Sequence, residues 1–273
     1  MHKLTRAALA VAMALALGAC TGKAPTKTAP ATDQAFTYLN NLDVITEWDP
    51  ATSYSNEIIA MNNLYEQLTR SNPKTGKVEP LLATSWKQTD GGLTWTFVLR
   101  KGVKFTTGNP LTAAAAKAAI ERTISLNGGA AYIWDPVKTI DAPDESTLVF
   151  HLKYAAPLDL IVSSAYAAFI YDTTAAGSGK LGKWFSQGQA AGTGAYKVGS
   201  WKQGTEDELS LVKNADYWGG WSGAHYTSIN FKVVPEQTTA VQLLQSGQGS
   251  FIPQLSAPLF KSLQSDSGVK NIA

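Results

Sequence analysis

The sequence predicts a mixed α/β fold, α+β in character, and three observations carry that prediction. Short runs alternate apolar and polar residues, as at residues 93–99, where Leu-Thr-Trp-Thr-Phe-Val-Leu has the period of a half-buried strand. Other segments place apolar residues at helical spacing, as Ile58, Ile59, Met61, Leu64, Tyr65 and Leu68 do. Strand and helix patterns also mix without a regular strand–helix–strand alternation and without an internal repeat.

The first twenty residues predict export. Lys3 and Arg6 form a positive start, and residues 7–17 are an apolar run too short to span a hydrocarbon core. The run ends in Leu17-Gly18-Ala19-Cys20, small residues before a cysteine, which predicts a lipoprotein signal peptide over 1–20 with lipid on the Cys20 thiol. Cys20 is the single cysteine of the 273 residues, so no disulfide can form within the chain. Two or more acyl chains there would hold the protein at a membrane surface. Residues 21–34, rich in Thr, Ala, Pro and Lys, predict a disordered tether reaching roughly 45 Å when extended.

The folded region then reads in order. Residues 36–42 predict a strand, and residues 56–68 a helix capped by Ser55 or Asn56. Asn72-Pro73-Lys74-Thr75-Gly76 is a turn, and the strand of 93–99 comes next. Thr112 caps an alanine-rich helix running to about Ser125, residues 147–152 form a strand, and 158–168 a helix. A second block from Gly192 carries strands at 195–199, 208–213 and 228–234, then helices at 236–246 and 257–265. Trp86, Trp95 and Trp201 fall in core patterns. Trp218 and Trp221, beside Gly219-Gly220, read as a structural turn in preference to a sugar-stacking platform.

Composition narrows the function. The chain holds 23 basic and 21 acidic residues, and loss of 1–19 removes only Lys3 and Arg6. With no basic patch, nucleic acid is excluded as a partner. The chain is 44% apolar with eight Trp, ample for a core, and no second apolar stretch is long enough to cross a membrane. Beyond the leader only His151 and His225 remain, with no Gly-x-Ser-x-Gly elbow, no His-Glu-x-x-His and no phosphate-binding glycine loop. Asp141, Asp144 and Glu145 sit in a turn. The expectation is therefore a protein that is not an enzyme, with no catalytic residue, metal site or cofactor.

Several blocks carry a family likeness. Leu64-Tyr65-Glu66-Gln67-Leu68, Glu79-Pro80-Leu81-Leu82-Ala83-Thr84-Ser85-Trp86 and residues 94–105 (Thr-Trp-Thr-Phe-Val-Leu-Arg-Lys-Gly-Val-Lys-Phe) come first. Gly192-Thr193-Gly194-Ala195-Tyr196-Lys197, Asn214-Ala215-Asp216-Tyr217-Trp218-Gly219-Gly220 and Leu243-Leu244-Gln245-Ser246-Gly247 come after them. In this order they resemble the family 5 extracellular solute-binding proteins, the peptide- and nickel-binding components of ABC importers. The likeness spans residues 36–270. It implies a periplasmic-binding-protein-like type II (cluster C) lobe over 35–273, with an inserted subdomain at about 55–170 and the second lobe missing. Thr107, Ala114, Ala115 and Ser250 stand where the family tends to carry acidic residues.

The likeness also implies where ligand chemistry lies. Tyr132 and Trp134 occupy a loop that resembles the family's aromatic cleft segment, and Ser53, Tyr54 and Ser55 follow the first strand, where the family runs backbone beside its ligand. Tyr166, near the end of the stretch 158–168, completes the expected set. The implied function is an extracytoplasmic, lipid-anchored, monomeric binding protein. It would deliver peptides, or a related solute such as a nickel chelate, an opine or an oligosaccharide, to the ABC transporter permease subunits. A surface or sensing lipoprotein on half a copy of the fold is the alternative.

Overall fold

The computed structural model describes residues 34–41, 45, 47–203, 208–270 and 272. Cys20, the leader and residues 21–33 of the tether lie outside them.

Two β-modules organise the described residues. In the first, β1 (Ala35–Asn40) runs parallel to β10 (Ser228–Val233), which pairs antiparallel with β9 (Glu208–Lys213). β9 in turn pairs with β8 (Tyr196–Lys202), so the sheet order is β1-β10-β9-β8. Alternation along β9 buries Leu209 and Leu211 against Met61, Leu64, Tyr65, Phe169 and Phe185. Trp48 joins this core, its ring 4.9 Å from that of Trp201.

The second module is an antiparallel sheet of β4 (Ala83–Thr89), β5 (Thr94–Leu99), β7 (Thr147–Leu152) and β6 (Val137–Asp141), in that order. Trp95, Phe97 and Leu99 of β5, with Leu148, Phe150 and Leu152 of β7, form one apolar face. α2 (Ala113–Leu126) covers it. Thr112 caps this helix by accepting the Ala115 N–H at 3.1 Å, and Asn127 ends it in the left-handed region at φ 48°. Ala113, Ala116 and Ile120 face the second core while Ala119 belongs to the first, so the small residues of α2 let one helix serve both.

The chain crosses between modules where Ile170 N–H donates to the Glu66 carbonyl at 2.9 Å. β2 (Thr69–Ser71) and β3 (Val78–Pro80) form a hairpin just beyond. The buried Glu66 carboxylate accepts from Thr193 Oγ1 (2.7 Å), Tyr217 Oη (2.9 Å) and Trp218 Nε1 (2.7 Å). Arg100 lies over the Trp218 ring at 4.4 Å, tying β5's end to the same node. Trp221 Nε1 donates to the Asn214 carbonyl, so both tryptophans serve the turn.

Two predicted helices contract. α1 covers only Ile58–Met61, because the carbonyls of Asn63 and Leu64 accept from Tyr196 and Gly194 instead of continuing a helix. Its cap position is Glu57, not Ser55 or Asn56, and no side chain caps it. α3 spans Leu158–Ile161, and Ala167 at φ 59° has left the helical region. α4 (Leu181–Ser186), α5 (Gln237–Gln245) and α6 (Ala257–Leu263) complete the fold. Among the described residues no helix is long and apolar enough to cross a membrane.

Candidate functional site

Three loops meet through Gly129 and Thr52, Trp134 and Ala167, and Tyr166 and Ser55. The first begins at Asp49, whose carbonyl accepts from Thr52 and Ser53 N–H and whose carboxylate accepts from Ala51 N–H at 3.0 Å. Arg122 of α2 grips the same carboxylate through both guanidinium nitrogens, and also donates to the Tyr171 hydroxyl at 3.1 Å. The loop is therefore anchored before it reaches the surface.

Glu57 shapes the next turn of the chain. Its Oε1 accepts from Ser53 Oγ (3.0 Å), Tyr54 N–H (2.8 Å) and Ser55 N–H (2.8 Å), wrapping residues 53–55 around one carboxylate oxygen. Glu57 and Ser53 are buried, whereas Tyr54 is 56% exposed and Ser55 lies at the surface. The other oxygen, Oε2, is buried without a hydrogen-bond partner among the described residues.

The second loop docks through glycine. Gly128 faces the Thr52 side chain, and Gly129, at φ +53°, faces its carbonyl oxygen. The adjoining 3-10 turn, Ala131–Trp134, leaves Tyr132 59% exposed and turns Trp134 inward. Trp134 is 3% exposed, donates its indole N–H to the Ala167 carbonyl at 2.8 Å and stacks on Phe150 at 6.2 Å. The expectation of Trp134 as a ligand-facing ring is therefore corrected: with its edge satisfied and its face covered, it holds the second and third loops together.

The third loop carries Tyr166. Ser164 Oγ donates to the Tyr166 carbonyl and accepts its N–H, a local turn that lifts the phenol toward the first loop. Tyr166 Oη then donates to the Ser55 carbonyl at 3.2 Å, and its ring meets Tyr54 edge-on at 5.7 Å. Burial, then the Glu57 charge and Tyr54, push the Tyr166 phenol above its ordinary range. Hydrogen bonding with Tyr54 raises that of Tyr132.

Of the sequence-predicted residues, Tyr54, Ser55, Tyr132 and Tyr166 thus share one accessible face. Ser53 and Trp134 lie beneath it as supports. Sequence reasoning misses Glu57, because an acidic residue opening an apolar-periodic stretch reads as a helix-start charge. Among the described residues no group of three His, Cys, Asp or Glu side chains is arranged to hold a metal ion. A separate apolar cavity of about 430 Å³, lined chiefly by Leu244, Phe251, Leu255, Phe260 and Leu263, adjoins α5 and α6.

Residues 77–273 match the family described as bacterial extracellular solute-binding proteins, family 5 Middle. The dipeptide-binding protein DppE of Bacillus subtilis is 28% identical over 274 residues, covering 91% of this chain and 49% of the relative. The probable D,D-dipeptide-binding periplasmic protein DdpA of Escherichia coli is 27% identical, covering 82% of this chain and 44% of the relative. Among solved structures, NikA from Brucella suis in complex with Fe(III)-EDTA superposes with a TM-score of 0.73 at 26% identity. That match covers 86% of this chain and 47% of the other. The fold is periplasmic-binding-protein-like, and the chain spans about half the length of the relatives it matches.

Proposed function

The chain belongs to the family 5 bacterial extracellular solute-binding proteins, and on that premise we propose that it is the substrate-binding component of an ABC importer. The ligand is a short peptide, held on the first-lobe surface formed by Tyr54, Ser55, Tyr132 and Tyr166. The observation that carries this reading is the convergence of three sequence-distant loops on one tyrosine face, fixed by the Tyr166–Ser55 and Trp134–Ala167 hydrogen bonds. Flat amphipathic rings over a rigid base suit a ligand whose backbone is constant and whose side chains vary.

The remaining parts accord with the family role. The protein is not an enzyme: it captures its solute outside the cytoplasm as a monomer and passes it to the permease subunits. Its leader is cleaved before Cys20, which carries the lipid that keeps the protein at the membrane, with residues 21–34 as tether. Residues 35–273 are the first lobe, with an inserted subdomain at about 55–170.

Titration calorimetry of the purified chain against a panel of tripeptides, with a nickel chelate alongside, tests the reading. Saturable heat with tripeptides is expected. Heat with the chelate alone would move the assignment to metal uptake, and silence with every member would remove the binding function.

A further inference from the structure

We propose that the ligand group seated against Tyr54, Tyr132 and Tyr166 is cationic, a protonated amine or guanidinium, and that the buried Glu57 beneath them selects it through its field. This deepens the peptide-binding reading above and rests on it.

Charge is unbalanced at this site. Glu57 is fully buried, yet it makes none of the ion pairs found among the described residues. Arg122, the cation that anchors the same loop, is paired with Asp49 and not with Glu57. Three neutral donors crowd onto Oε1, and Oε2 has no hydrogen-bond partner among the described residues. A buried carboxylate left without an opposite charge is costly, and such groups are ordinarily paired. An arriving cation would supply the missing charge.

The surface above has the matching chemistry. Tyr54 and Tyr132 are both more than half exposed, and Tyr166 stands edge-on to Tyr54 at 5.7 Å. Aromatic faces attract cations through the ring quadrupole, and the attraction strengthens where water is thinned. The two effects act on the same spot, because residues 53–55 wrap around Glu57 while Tyr166 reaches Ser55. The Glu57 charge is among the causes that raise the Tyr166 phenol, so its field extends to that ring.

The test uses the whole chain and three tripeptides that differ in positive charge: Lys-Ala-Ala, norleucyl-Ala-Ala, and N-acetyl-norleucyl-Ala-Ala. Affinity should fall with each cation removed, by roughly tenfold across the series. In Glu57→Gln the amide oxygen can keep the three donors of residues 53–55 while the NH2 takes the place of Oε2; the charge is lost, so the series should flatten. Equal affinity of all three peptides for the wild-type chain would overturn the inference while leaving peptide binding intact. Absence of binding by all three would overturn the peptide reading and the inference with it. The wild-type series decides the matter even if the variant does not fold.

Discussion

Gly129 lies directly against the backbone of Thr52: a Cβ placed on it would stand 2.5 Å from the Thr52 carbonyl oxygen. This contact closes the first and second loops of the tyrosine face, and its φ of +53° already favours glycine. Gly129→Ala should therefore cost at least about 2 kcal/mol, as strain and backbone displacement add. Gly177, at φ +57° with nothing within 4 Å, is the control, and Gly177→Ala should cost only about 1 kcal/mol. Urea denaturation of both variants checks the difference, and equal losses would show that loop contact contributes nothing.

Trp134 has its indole N–H on the Ala167 carbonyl and its ring on Phe150. Trp134→Ala should lower stability by about 3–5 kcal/mol, the usual cost of emptying a buried aromatic site. A variant with unchanged denaturation midpoint and lost peptide affinity would instead return Trp134 to the ligand surface.

The Glu66 node gives a pH dependence with a definite sign. Burial, opposed by hydrogen bonds from Trp218, Thr193 and Tyr217 and by the Arg100 charge, holds this carboxyl above its ordinary 4.5. The folded state therefore binds the proton more tightly than the unfolded chain does. The contribution of Glu66 is most favourable below pH 4.5 and is lost as pH rises through the folded value. In Glu66→Gln the amide oxygen can accept from Thr193 and Trp218, and its NH2 can donate to Tyr217. Denaturation midpoints measured from about pH 4 to 7 should show the variant gaining on the wild type as pH rises. A variant that instead loses ground toward neutral pH would reverse the assignment.

Cys20→Ser should shift the protein from the membrane fraction to the soluble fraction of the producing cells and abolish incorporation of a labelled fatty acid. Unchanged membrane retention would point to some other anchor.

Clean alternation makes strands legible: the pattern of residues 208–213 coincides with β9, Glu208–Lys213, residue for residue. β4 and β6 are not legible in this way, because they are the two outer strands of their sheet and lack strong alternation. Helical periodicity over 56–68 overstates the helix for a different reason. Leu64, Tyr65 and Leu68 are buried at helical spacing, but distant backbone claims the carbonyls along the stretch: Asn63 and Leu64 accept from Tyr196 and Gly194, and Leu68 from Ala83. Local periodicity does not reveal where a carbonyl finds its partner.

The same limit governs the site. Tyr54, Tyr132 and Tyr166 come from a family likeness, since nothing local separates a surface tyrosine from a core one. Its contacts with Ala167 and Phe150 tell the inward Trp134 from the exposed Tyr132, and those contacts are invisible in the sequence. Thr107, which departs from the family's acidic habit, donates to the Asp172 carboxylate at 2.6 Å. An acidic side chain there would face a like charge, so Thr107 and Asp172 make sense only as a pair.

Chemical-shift mapping on the isotope-labelled chain, titrated with Lys-Ala-Ala, is the sharpest test of the tyrosine face as the peptide site. Progressive, saturable shifts of the Tyr54, Ser55, Tyr132 and Tyr166 amides are expected, with the residues around Phe251 and Phe260 unmoved. Shifts confined to that apolar cavity, or none at all, would contradict it.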